Sequence, residues 1–239
     1  MMKKFIKILA ILLLLTLTAS GYLAVKGYIR FKDEIKALPL NEAVKRYTDD
    51  PDYVSFDQID EDFVNAVVAV EDKRFFTRKG YDLIALCRAL YHDVLARDLI
   101  EGGSTITEQI AKNLYMESYV SDLEEKVAEI FILLELEKDY SKEELFALYA
   151  NMNYYGDGYW GIKEAAEGYY QADCSDLTLA QAAILAGIPN APAIYQLSSG
   201  YEGAKGRQKW VMQTMYNNGY ISEEEMQEAL KENVRPKKK

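Results

Sequence analysis

The chain has 239 residues, 49% apolar and 28% charged, enough for one sizeable folded domain and an additional segment. Its 38 acidic against 28 basic side chains leave a formal charge of −10, which excludes nucleic acid as a partner, because phosphate-backbone binders carry basic surfaces. A single histidine, His92, and two cysteines outside any CxxC pair, Cys87 and Cys174, exclude a zinc site and point to two unpaired thiols.

In chain order, Lys3, Lys4 and Lys7 precede an uncharged run from Ile8 to Val25. As a helix the run spans roughly 27 Å, close to the bilayer core, and the preceding lysines favour a cytoplasmic N-terminus with the remainder exported. A cleaved signal peptide is the alternative, with Ala19 and Gly21 as small residues around a cut. The expected layout is a cytoplasmic 1–7, an anchor over 8–25, a connector over 26–50, a catalytic domain over 51–230 and a basic tail over 231–239.

From Asp60 onward the patterns are helical. EDFVNAVVAVEDKRFF sets Phe63, Val67 and Glu71 at four-residue intervals. YDLIALCRALYHDVLARDLI, DLEEKVAEIFILLELEKDY, SKEELFALYANMNYY and DLTLAQAAILAGIPNAP follow as further helices. Ser141 and Glu144 have capping-box spacing, and Gly187 with Pro189 ends the last helix. EEEMQEALKEN and DLEEKVAEIF read as solvated helix faces. No comparable strand pattern occurs, so the class is mainly α.

EGGSTITEQIAKNLY, residues 101–115, carries the clearest chemical signal. Gly102 and Gly103 permit close backbone approach, and Thr105 with Glu108 has capping-box spacing. A helix N-terminus there is a natural anion site, with Lys112 two turns in. The plainer reading is a well-capped helix with a Glu108–Lys112 pair. Two carboxylates lie on apolar faces: Glu71, and Glu129 on the stripe of Ile132, Leu133 and Leu136. Such carboxylates suit acid or base work, whereas an edge glutamate reaching for water is the plainer account of either one alone. Paired acids beside an anion site suit chemistry at an anomeric carbon.

EDKRFF…G, GGSTITEQIAKN, EKVAE, YANMNYYGDGYWG and AAILAGIPNAP occur in this order, from about Asp57 to about Ala229. In this the chain resembles the family 51 glycosyltransferases, the peptidoglycan polymerases. The resemblance implies a lysozyme-like fold, with a globular head and a membrane-dipping jaw, that polymerises lipid II and releases undecaprenyl pyrophosphate. The jaw falls on YDLIALCRALYHDVL. It implies Glu71 as general base on the acceptor 4-hydroxyl, with inversion to a β-1,4 link, and Glu129 as the residue managing the pyrophosphate. Asp72, Phe75 and Arg78 belong to the first motif, and Gly103, Ser104, Thr105, Gln109, Lys112 and Asn113 to the second. Lys126 belongs to the third, and Asn151 and Tyr155 to the fourth. The fifth, with Ala186, Gly187, Pro189 and Pro192, is structural. Implied partners are lipid II, the growing glycan strand, the bacterial membrane, transpeptidases and other wall-synthesis proteins, with the catalytic domain on the extracytoplasmic face.

The sequence departs from the family pattern at Arg78 (usually histidine), Glu108 (usually glutamine), Glu125 (usually arginine) and Ala150 (usually leucine). Glu108 and Glu125 add negative charge where pyrophosphate should bind, at a cost on the order of 1 kcal/mol each if uncompensated. Mg2+ or Mn2+ near Glu125 and Glu129 would offset them, as would a swing of Arg78 or Arg88, although the sequence requires no cofactor. Absence of Ser-x-x-Lys and KTG, with an end soon after the fifth motif, sets the expectation of a monofunctional enzyme. A muramidase would leave the GGSTIT stretch without a role. A catalytically silent precursor binder or wall-complex scaffold has no need of both Glu71 and Glu129.

Overall fold

The computed structural model describes residues 2–78, 105–115 and 122–236. The expected jaw helix, Gly102, Gly103, Ser104, Cys87, Arg88 and His92 lie outside the described residues. Among the described residues the fold is helical, and the nearest approach to a sheet is one isolated bridge, Tyr154 with Trp160.

The chain opens with one uninterrupted helix, α1 (Met2–Ala37). It runs well past the expected 8–25 span. Side chains from Phe5 to Leu17 are exposed, so that part packs against no protein. It is long and apolar enough to cross a membrane. The segment expected as a connector leading into the domain comprises the last turns of α1 and then α2 (Leu40–Thr48). Phe31, Leu40, Ala43 and Val44 from it are buried in the core, so this stretch is part of the folded unit.

The third helix, α3 (Glu61–Glu71), begins at Asp60, whose carboxylate accepts from the N–H groups of Asp62 and Phe63. It ends sooner than its periodicity suggests. Asp72 turns to φ −157°, leaving Glu71 as the last helical residue and residues 72–78 as turns. The fourth, α4 (Ile106–Tyr115), has the expected capping box: Thr105 N–H donates to Glu108 at 2.9 Å, and Glu108 N–H donates to Thr105 at 3.2 Å. The long α5 (Leu123–Asp139) starts at Asp122, and α6 (Lys142–Met152) at Ser141, which pairs with Glu144 as the sequence predicts. A tight loop then leads into α7 (Gly161–Tyr170). In that loop Gly156, Asp157, Gly158 and Gly161 all have positive φ, which favours the three glycines found there.

The core closes with α8 (Leu179–Gly187), the single turn α9 (Pro192–Tyr195), α10 (Tyr201–Asn217) and α11 (Glu223–Lys231). Helix α8 starts at Thr178, which forms a capping box with Gln181. It is the apolar hub: Ala182, Ala183, Leu185 and their neighbours are fully buried. Helices α3 and α10 pack on it. Cys174 is buried as a free thiol, as expected. Burial pushes its thiol up to about 11, which makes it unreactive.

Candidate active site

Helix α4 supplies the frame of the site. Gln109 and Lys112 are one turn apart on its surface, so they serve neighbouring stations. The Gln109 amide donates to the Glu71 carboxylate at 2.8 Å. The Lys112 ammonium lies 3.9 Å from the Glu129 carboxylate. One short helix therefore touches both of the acids that stand out in the sequence.

The two stations differ electrically. Burial pushes the Glu71 carboxyl above its ordinary value of 4.5, the Gln109 hydrogen bond and the more distant Arg207 pull it back, and Asp72 opposes them. Glu71 is the last residue of α3 and has no ion-pair partner among the described residues. Glu129, only 2% exposed, has two cations: Lys126 at 3.3 Å and Lys112 at 3.9 Å. Burial raises it too, Lys126 and then Lys112 lower it, and Glu108 adds a repulsive charge. A lone carboxylate of raised proton affinity suits a base. A carboxylate held between two ammonium groups marks a place for a further anion.

Beside Glu71 lies a charged network in which Asp72 and Arg78 of the first motif are joined by Glu137 and Lys142, which the sequence reading missed. Arg78 donates to Asp72 and, at 2.9 Å, to Glu137. Glu137 also accepts from Lys142 and, at 2.5 Å, from the Thr107 hydroxyl. Arg78 and Lys142 additionally stand over the Phe75 ring. The network ties the turn after α3 to α4, α5 and α6. Glu137 is two turns beyond Glu129 on α5, and that spacing was the only signal for it in the sequence. Arg78 is thus occupied by Asp72 and Glu137 and does not swing toward Glu125 or Glu108.

Other residues expected against substrate work inside the fold. Phe75 and Tyr155 are fully buried, with the Tyr155 hydroxyl donating to the Ala150 carbonyl at 3.1 Å. The Asn151 amide brackets the Val54 backbone, accepting from its N–H at 3.0 Å and donating to its carbonyl at 2.8 Å. These three hold loops, because their polar atoms are consumed or their rings enclosed. Asn113 is exposed on α4, and Thr105 is buried as its cap. Arg207, from α10, was not anticipated. Gly187 makes room for it: a Cβ there would fall 2.7 Å from Arg207 Cγ.

Glu125 is not aimed at Glu129. Its carboxylate meets Arg30 of α1 at 3.2 Å. Among the described residues no group of three or more metal-ligating side chains converges. The donor set around Glu129 contains two lysines and does not fit Mg2+ or Mn2+, since ammonium groups stand where a cation would bind.

A helical domain with one carboxylate beside a glutamine and another between two lysines, carried on an apolar helix, has the equipment of a group-transfer enzyme. The chain belongs to the transglycosylase family, the family 51 glycosyltransferases of peptidoglycan synthesis, whose model matches residues 39–216. It is 35% identical to penicillin-binding protein 1F of Bacillus subtilis over 93% of this chain and 33% of that protein. It is 38% identical to penicillin-binding protein 1A of Aquifex aeolicus over 78% of this chain and 26% of that protein. A Cupriavidus necator protein named, by inference, a transglycosylase is 36% identical over 84% of this chain and 86% of its own length. The chain therefore spans about a third or less of the two penicillin-binding proteins.

Proposed function

We propose that this protein is a peptidoglycan glycosyltransferase that polymerises lipid II into glycan strands on the extracytoplasmic face of the membrane. Glu71 takes the proton from the 4-hydroxyl of the acceptor sugar. That oxygen attacks the anomeric carbon of the donor from the face opposite the leaving group. The bond to pyrophosphate breaks, and its electron pair leaves with undecaprenyl pyrophosphate. Inversion at the anomeric carbon gives the β-1,4 link. Lys112 and Lys126 neutralise the departing anion, and Glu129 keeps the two ammonium groups in position.

The observation that carries this reading is the asymmetry of the two acids: one unpaired beside a glutamine, one between two lysines. A base needs proton affinity, and a diphosphate needs cations. A silent binder would be favoured by uncompensated negative charge at Glu125 and Glu108. Arg30 balances the first, and the second caps α4. Transpeptidases and other wall-synthesis proteins are proposed partners, consistent with the length of the relatives.

The test is polymerisation of purified lipid II by the full-length protein in detergent, with and without Mg2+ or Mn2+. Strands from the wild type and none from Glu71→Gln are expected, with or without metal. Absence of strands under every condition would overturn the reading.

A further inference from the structure

Helix α1 does not stop at the edge of the domain. Its last third lies along α5, the helix that carries Lys126 and Glu129. Gly27 allows the close approach, since a Cβ there would fall 2.5 Å from Val127 Cβ and 3.1 Å from the Glu124 carbonyl. Tyr28 and Phe31 then stack against Phe131, with ring centroids 5.2 and 5.7 Å apart. At the centre of this contact Arg30 reaches Glu125 at 3.2 Å and Asp122 at 3.3 Å. Asp122 caps α5, and Glu125, 4% exposed, is in its first turn. A carboxylate that deep needs a partner, and among the described residues the one it meets is on the apolar helix.

We propose that Arg30 is a positioning residue for the reaction: through Glu125 it fixes the first turns of α5, and thereby Lys126 and Glu129, against the membrane helix. Without Arg30, Glu125 is an unpaired charge one residue from Lys126. It would either pull that ammonium away from Glu129 or drag water into the contact. Both outcomes weaken the station for an anion. The inference rests on the polymerase reading, because it concerns that reading's leaving-group site.

The experiment uses the full-length protein in detergent as wild type, Arg30→Glu, Glu125→Arg and the Arg30→Glu/Glu125→Arg double variant. Strand synthesis from lipid II gives kcat and KM, and amide hydrogen exchange is followed over residues 123–130. Arg30→Glu is expected to lower kcat/KM on the order of tenfold, mainly through KM, since an unmasked carboxylate repels an anionic precursor before chemistry. Exchange in the first turns of α5 should quicken in both single variants. The swapped pair should recover both properties, which a general loss of folding would not do. Arg30→Gln, which removes the charge without adding one of the opposite sign, serves if Arg30→Glu does not fold. Wild-type exchange in the Arg30 variants, or no recovery in the double variant, would overturn the proposal. A wild type that makes no strands would sink the polymerase reading, while the exchange arm would still decide the role of Arg30.

Discussion

Glu71 and Glu137 are both carboxylates that accept a hydrogen bond from α4, and the fold treats them in opposite ways. Burial pushes Glu137 up as well, yet hydrogen bonds from Lys142, Thr107 and Arg78 outweigh it and hold the carboxyl below its usual range. Glu71 has one glutamine donor, and burial wins. The ionised form of Glu137 is stabilised by the fold, and the ionised form of Glu71 is penalised by it. A group kept at a cost to the fold is a group available for chemistry.

The sharpest way to break this contrast is Glu71→Gln. Loss of a general base should reduce strand synthesis by roughly 10²–10⁴-fold. The same substitution removes a penalised charge, so thermal unfolding at neutral pH should show an unchanged or slightly raised Tm. A falling Tm would mean that Glu71 is structural. Glu137→Ala should behave in reverse. It strands Arg78 and Lys142, and calorimetry should register a loss of about 3 kcal/mol, with activity declining only as the fold does. Stability equal to wild type would dissolve the contrast.

Titration separates the two next. The acid limb of kcat/KM should lie above the ordinary carboxylate value of 4.5, because Glu71 must lose its proton to act. For stability the signs differ. The contribution from Glu137 is present above its unfolded value and is lost as pH falls through the lowered folded one. The contribution from Glu71 is present below its unfolded value and is lost as pH rises through the raised one. Denaturation followed from pH 3 to 7 in the two variants would resolve them. The smallest effect should be Lys112→Ala, whose ammonium is 3.9 Å from Glu129 and is 38% exposed, against Lys126→Ala at 3.3 Å and 11%. Both should raise KM, Lys126→Ala by more.

How legible each part was follows sequence distance. The Thr105–Glu108 and Ser141–Glu144 boxes were readable because each is made by residues three apart. Glu129 was readable because Ile132 and Leu136 repeat around it at helical spacing, and both are fully buried. The end of α3 at Glu71 was not, since its apolar period continues into residues that the Asp72–Arg78 pair pulls into turns. Glu125 misled for the same reason. Its balancing charge is Arg30, far away in sequence and inside the stretch read as a connector leading into the domain. Arg207 had no local signal beyond the glycine that gives it room.

The uninterrupted course of α1 has a further consequence. A flexible stalk would let the domain tumble, and each encounter with a membrane-bound molecule would then require orientation to be found anew. A continuous helix of 36 residues, about 54 Å long, removes most of that freedom in advance. On the proposed function, rotational entropy is lost once, when the chain folds, rather than at every turnover. On that same proposed function, encounters then take place in two dimensions, governed by surface density in the bilayer.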